Sequence, residues 1–361
     1  MEWLIVIAAL FLAFSNGAND NFKGFATVWG SDTLSYRQAL ALATLATVAG
    51  CFAALLLAES MVQNFSGKGL VADAVVNTPL FILSVACGAA ITIVLATRMG
   101  YPVSTTHALI GGLIGAGWAQ ADSAMQLDKL TQVFLLPLLV SPLLAACLGA
   151  LAYSALRLRS AEVDCVCVIQ PELSAATTPA LQSVSAPAIV LGRDEDCASL
   201  PVVSRFSIQR WMDKFHIFSA MTICFARGVN DTPKIMALLI ASSLIDAQTS
   251  ILLLSAAMAL GGLGFAKRVA ERMSHRVTRM DHGQGLAANL ITALLVLFAS
   301  KLGVPVSTTH VAVGSIAGVG MRAQTLDWMT LRQILLAWLA TLPLAAVLAW
   351  AIGNLVRIFS T

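Results

Sequence analysis

Apolar positions in this chain do not alternate with polar ones or fall into a single helical stripe. They run on for most of 20 residues at a time. Ten such segments stand out: 3–29, 37–58, 75–97, 101–119 and 131–156, then 216–243, 248–266, 285–301, 304–320 and 332–357. A helix that is apolar all round lies in lipid or in a large core. A bilayer core of about 30 Å takes roughly 20 residues per helix. Helices rather than isolated strands are expected, because a lone strand cannot satisfy its backbone groups in hydrocarbon. The pattern therefore predicts an all-α integral membrane protein with ten crossing-equivalents. The stretch 157–215 breaks it with Ser, Thr, Pro and Ala tracts and the acidic run Asp194-Glu195-Asp196. It reads as a flexible cytoplasmic linker or small regulatory insert between a first transmembrane repeat, 1–156, and a second, 216–361.

Composition agrees: 58% of residues are hydrophobic and 11% charged, against about 25% charged in soluble domains. The first basic residue is Lys23, so residues 3–16 lack a charged leader region and read as a retained helix. With the linker inside, fifteen Lys and Arg residues are cytoplasmic, among them Arg98, Arg268, Arg272, Arg276, Arg279 and Arg322, and four are outside, Lys68, Lys129, Lys301 and Arg357. The positive-inside rule then puts both termini outside. Cys51, Cys87, Cys147 and Cys224 lie in apolar segments, which argues against a disulfide framework. Cys165-Val166-Cys167 reads as a solvated loop, with soft-metal binding as its alternative.

Two motifs recur in the same order. Residues 16–31, NGANDNFKGFATVWGS, pair with 227–242, RGVNDTPKIMALLIAS, matching Gly17/Gly228, Asn19/Asn230, Asp20/Asp231, Lys23/Lys234, Ala26/Ala237 and Ser31/Ser242. Residues 98–118 pair with 301–321 through an unchanged PVSTTH. The halves are a duplication. Five crossings per half is odd, so the second copy is expected inverted, with discontinuous helices meeting at the repeat interface.

Of 19 Asp and Glu residues, only Asp20 and Asp231 fall deep in apolar segments, and an acid there marks function. Each follows Gly-x-Asn, which favours a helix break, and Pro233 removes a donor after the second. In Pro102–His107 and Pro305–His310, Pro halts one element and Ser or Thr can cap the next. The N-termini of those helices, with Ser104, Thr105, Thr106, Ser307, Thr308 and Thr309, suit a tetrahedral oxyanion. Glycines 111, 112, 115, 117, 314, 318 and 320 read as helix packing. For His107 and His310, packing and proton relay both stand.

The four motifs together resemble the PiT family of inorganic phosphate transporters, over nearly the whole chain apart from the linker. The resemblance implies a secondary active transporter working by alternating access, with phosphate, or else sulfate, as cargo and sodium or protons as coupling ion. It gives Asn19, Asp20, Asn230 and Asp231 to ion and anion binding, with sodium near the two acids, and the Ser-Thr-Thr segments to the anion. Two departures bear on coupling. Lys23 and Lys234 replace the Asn that usually closes the first motif, and Asn289 stands where many members carry Glu. Each Lys lies one helical turn from its Asp, as a built-in cation or as a snorkelling side chain. If the first, sodium is dispensable and protons drive transport. Arg227 adds a cation that could fork onto two phosphate oxygens, pair with Asp231 or snorkel. A plasma-membrane carrier in contact with the lipid bilayer is expected, open to forming a homodimer, with no enzyme activity, cofactor or nucleic-acid partner. An anion channel is the less favoured reading.

Overall fold

The computed structural model describes residues 2–57, 62, 65, 67, 70–120, 126–157, 165–169, 188–192, 202–240 and 245–360. Its helices follow the apolar segments: α1 (Glu2–Asp20), α2 (Ala26–Gly30), α3 (Tyr36–Leu57), α4 (Pro79–Arg98), α5 (Thr105–Gln120) and α6 (Leu136–Arg157). After the linker come α7 (Ile208–Ile240), α8 (Ala247–Phe265), α9 (Lys267–His275), α10 (His282–Lys301), α11 (Thr308–Ala323) and α12 (Trp328–Ser360). Among the described residues, seven helical stretches are long and apolar enough to cross a membrane. The other expected crossings fall short for two reasons. Helix α7 carries several charges, and α5 and α11 have 16 residues each, or about 24 Å at 1.5 Å per residue.

The two halves interlock. Helix α1 packs on α8 and α7 packs on α3; likewise α5 packs on α12 and α11 on α6. In register with the sequence repeat, α1 corresponds to α7, α3 to α8, α4 to α10, α5 to α11 and α6 to α12. Each of these contacts therefore has its counterpart, and each joins one half to the other. Glycine makes the close approach possible. A Cβ on Gly111 or Gly115 would meet the backbone of Leu342 or Ala346 in α12, and one on the equivalent Gly314 or Gly318 would meet Pro142 or Ala146 in α6. The packing reading of these glycines holds. Gly115→Val and Gly318→Val should each cost at least the 1–3 kcal/mol or so typical of overpacking, seen as a lower melting temperature in detergent.

Both Ser-Thr-Thr segments are launched alike. Helices α4 and α10 end in left-handed Gly100 (φ 73°) and Gly303 (φ 68°). There Tyr101 N–H bonds the Ala96 carbonyl, and Val304 N–H bonds that of Ala299, the closure that glycine favours after a helix C-terminus. Extended residues through Pro102 and Pro305 then lead to Ser104 and Ser307. Their hydroxyls accept from His107 N–H and His310 N–H at 3.1 and 3.2 Å.

Three expectations need correction. The helix break appears in the first repeat alone: α1 stops at Asp20, and a 3₁₀ turn over Lys23–Phe25 leads into α2, whereas α7 runs unbroken through Asn230, Asp231 and Pro233. Gly24, at the break, lies against the Ala220 carbonyl and Cys224 of α7. Its counterpart is Ile235, and Pro233 holds a φ compatible with a helix. The linker is not wholly irregular either. Strands β1 (Cys165–Ile169), β2 (Ala188–Gly192) and β3 (Val202–Ser207) form an antiparallel sheet in the order β2-β1-β3, and β3 leads straight into α7. Finally, Cys165 and Cys167 are buried in β1 rather than solvated, and Cys167 is disulfide-bonded. Strand alternation puts both on one face, with their sulfurs 3.6 Å apart. Among the described residues no group of three or more His, Cys, Asp or Glu could hold a metal. The acidic run 194–196 and Lys68 lie outside the described residues.

Candidate functional site

Among the described residues the buried Asp, Lys and Arg side chains are five: Asp20, Lys23, Arg227, Asp231 and Lys234. All five meet where α1, α7 and the first turns of α5 and α11 converge. Asp20 sits at the C-terminal end of α1, where the helix dipole repels a carboxylate. Neighbours offset that cost. Its Oδ1 pairs with Lys23, and its Oδ2 accepts from Thr105 at 3.1 Å and Asn16 at 3.3 Å. Asp231 pairs with Lys234 at 3.3 Å and accepts from Asn230 at 3.0 Å and Asn16 at 3.1 Å.

The two lysines occupy matching nests. Lys23 Nζ donates to Asp20, to the Val103 carbonyl at 2.8 Å and to Thr309 Oγ1 of the other half. Lys234 Nζ donates to Asp231, to the Val306 carbonyl at 3.2 Å and to Thr106 Oγ1 of the other half at 2.8 Å. Val103 corresponds to Val306 and Thr106 to Thr309 in the repeat. Each ammonium has three donors, and each spends all three on a carboxylate, a carbonyl and a hydroxyl. The hydroxyls then donate onward, Thr309 to the Val103 carbonyl at 2.8 Å and Thr106 to the Val306 carbonyl at 3.3 Å. Exposures of 4% for Lys23 and 0% for Lys234 exclude snorkelling.

Asn16 was not among the candidate residues, yet it ties the site together. Its amide donates to both aspartates and to Thr105 at 2.8 Å, and its oxygen accepts from Arg227 Nη1 at 3.0 Å. Asn16 and Arg227 hold the same position in the two copies of the repeat and bond each other across the junction of the halves. That register was the available signal. Arg227 also donates to Thr47 at 3.2 Å, and its buried Nε has no partner among the described residues.

Other candidates support this centre from its edge. Asn19 reaches Thr97 Oγ1 at 2.8 Å and the Tyr101 carbonyl at 3.0 Å, and accepts from Val103 N–H at 3.0 Å. Asn230 likewise donates to the Val306 carbonyl at 3.4 Å and accepts from the Ser300 hydroxyl at 3.5 Å. These amides anchor the segments before α5 and α11. Ser104 and Ser307 cap those helices, and Thr308 is buried in the first turn of α11. His107 and His310 meet edge to face with ring centroids 4.5 Å apart, and His310 stacks on Trp338. His107 Nδ1 and His310 Nε2 have no partner among the described residues. Asn289 is not in the cluster: it bonds Thr27 at 2.9 Å and the Gly24 carbonyl at 3.4 Å, holding the turn and short helix after the break.

The buried centre thus holds two acids and three bases, Asp20 and Lys23 from the first copy of the motif and Arg227, Asp231 and Lys234 from the second. The phosphate transporter family model covers residues 16–349. The chain belongs to that family. Relatives include proteins bearing the name phosphate permease from Thermococcus kodakarensis, 27% identical with 96% of each chain covered, and from Chlamydia muridarum, 26% identical with 97% of each covered. Among solved structures, a sodium-dependent phosphate transporter superimposes with a TM-score of 0.78 over 99% of both chains at 21% identity, which establishes a shared fold. This family member is a multi-pass membrane protein, and its buried charges lie within the matched span.

Proposed function

We propose that this chain carries inorganic phosphate across the plasma membrane by alternating access, with one anion site shared by the two halves. The observation that carries the proposal is the buried centre itself. Asp20 and Asp231 are each matched by a lysine, and Arg227 leaves one positive charge in excess where the first turns of α5 and α11 converge. Helix N-termini offer unpaired N–H groups and a positive dipole end to an anion. The Arg227 guanidinium presents a fork that suits two oxygens of a phosphate, and Asn16 and Thr105 stand beside it. The name borne by the permease relatives supports phosphate as cargo, with sulfate, also tetrahedral, as the competitor to test.

The interlocked packing supports an inverted repeat: five repeat-paired helices per half, with the contacts of α1 on α8 and α5 on α12 mirrored by α7 on α3 and α11 on α6, fit a second copy turned over in the membrane. The basic residues expected inside also gather at one end. Arg268 donates to the Arg98 carbonyl at 2.9 Å, Arg272 lies over the Tyr101 ring at 4.0 Å, and Arg272, Arg276 and Arg279 line one cavity. This supports a cytoplasmic face there, with the linker inside and both termini outside.

The test is uptake of radiolabelled phosphate into proteoliposomes of purified protein. A carrier saturates; a rate rising linearly to high concentration would support a channel instead. Sulfate in excess sets the selectivity. Thr105→Val and Thr308→Val should each weaken apparent affinity by about 1.5–3 kcal/mol, roughly ten- to a hundredfold, if each loses one hydrogen bond to the charged cargo. Unchanged affinity in both would reduce these segments to packing elements.

A further inference from the structure

We infer that Lys23 and Lys234 are tethered cations, standing where soluble sodium ions would otherwise sit, so that this transporter binds its anion without sodium. The inference deepens the proposed function and rests on it for its transport arm.

Lys23 faces a carboxylate oxygen of Asp20, the backbone oxygen of Val103 and the hydroxyl oxygen of Thr309. Lys234 faces Asp231, Val306 and Thr106 in the same roles. Carboxylate, carbonyl and hydroxyl oxygens are the donor set that holds a hard cation. In these nests every such oxygen is already turned on a nitrogen carrying one positive charge. The arrangement occurs twice, related by the repeat, and in each nest the hydroxyl comes from the opposite half. A chance surface ion pair has no reason to repeat at that level of detail.

Charge and burial point the same way. Both ammonium groups are sealed from solvent, and Lys234 also lies 5.5 Å from the centre of the Phe65 ring. Within the buried charged set, two lysines and Arg227 outweigh two aspartates by one without any added ion. A sodium ion entering either nest would set a second positive charge against the first where water cannot screen it. The carboxylates need no mobile counter-ion, and the remaining Arg227 charge is free for the anion. An Asn at either lysine position reverses this logic: it removes the ammonium and leaves the cage of oxygens, with an amide oxygen added.

The experiment compares wild type with the Lys23→Asn, Lys234→Asn double variant, using radioactive sodium alone as the binding probe on purified protein. Wild type should show no saturable sodium binding, and the double variant should show it. In proteoliposomes, wild-type phosphate uptake should be equal in sodium and in choline, while the double variant should gain at least about tenfold on adding sodium. Saturable sodium binding by wild type, or wild-type uptake that requires sodium, overturns the inference. So does a double variant that elutes as folded protein and binds none. If the double variant fails to fold, the wild-type sodium measurement decides alone. If wild type moves no phosphate in either salt, the proposed function fails, while sodium binding still judges the lysines.

Discussion

Asp231→Asn is expected to abolish phosphate uptake, and Asp20→Asn to do the same. Each substitution leaves an ammonium buried with its main partner gone, the situation that costs about 3–5 kcal/mol when one member of a buried pair is removed. It also frees Asn16, whose amide bridges both carboxylates. Uptake in proteoliposomes reads the loss, and size-exclusion profiles read folding. Removing both charges of a pair, as in Asp231→Asn with Lys234→Gln, should recover the folded fraction without recovering uptake. Wild-type uptake in both single variants would show that the pairs serve only to hold α1 and α7 in place.

Arg227→Met carries the second large effect. Among the buried Lys and Arg side chains of the described residues, Arg227 alone has no buried acid of its own, and its bonds run to Asn16 and Thr47 instead. Removing it takes the centre from a net charge of plus one to neutral. Losing a charged hydrogen bond to the cargo should weaken phosphate binding by about 1.5–3 kcal/mol, some ten- to a hundredfold. Arg227→Lys should fall between. It keeps the charge but cannot reach Asn16 and Thr47 together with a planar fork. A Met variant with wild-type affinity would remove Arg227 from the anion site.

Much of this centre was legible in the sequence because duplication is readable without a fold. The two Asp-x-x-Lys spacings and the paired PVSTTH segments bring the same atoms together twice: Thr309 to Lys23, and Thr106 to Lys234. What escaped was whatever broke the symmetry or depended on packing. Asn16 and Arg227 share a register but not a residue type, so no match marked Asn16. The unequal helix break turned on Gly24 against Ile235, a difference meaningful only once α7 lies against that turn. Asn19 and Asn230 sit in the most recognisable stretch of the motif, and only the structure shows that each amide also ties down a backbone carbonyl ahead of α5 or α11. The linker sheet was hidden by short strands amid polar tracts, and the disulfide at Cys167 by reading each cysteine through its local segment.

The glycines offer a contrast. Their spacing in α5 and α11 pointed to close helix approach, which needs only the small-residue pattern. The partners, α12 and α6, belong to a long-range arrangement that local spacing does not encode.

The central claim is that one anion site is shared by both halves, and equilibrium binding of radiolabelled phosphate to the purified protein tests it most directly. One phosphate per chain is predicted, competed by unlabelled phosphate, with affinity reduced by a substitution in either half, Thr105→Val as much as Thr308→Val. Two independent phosphates per chain, each sensitive to substitutions in only one half, would contradict it.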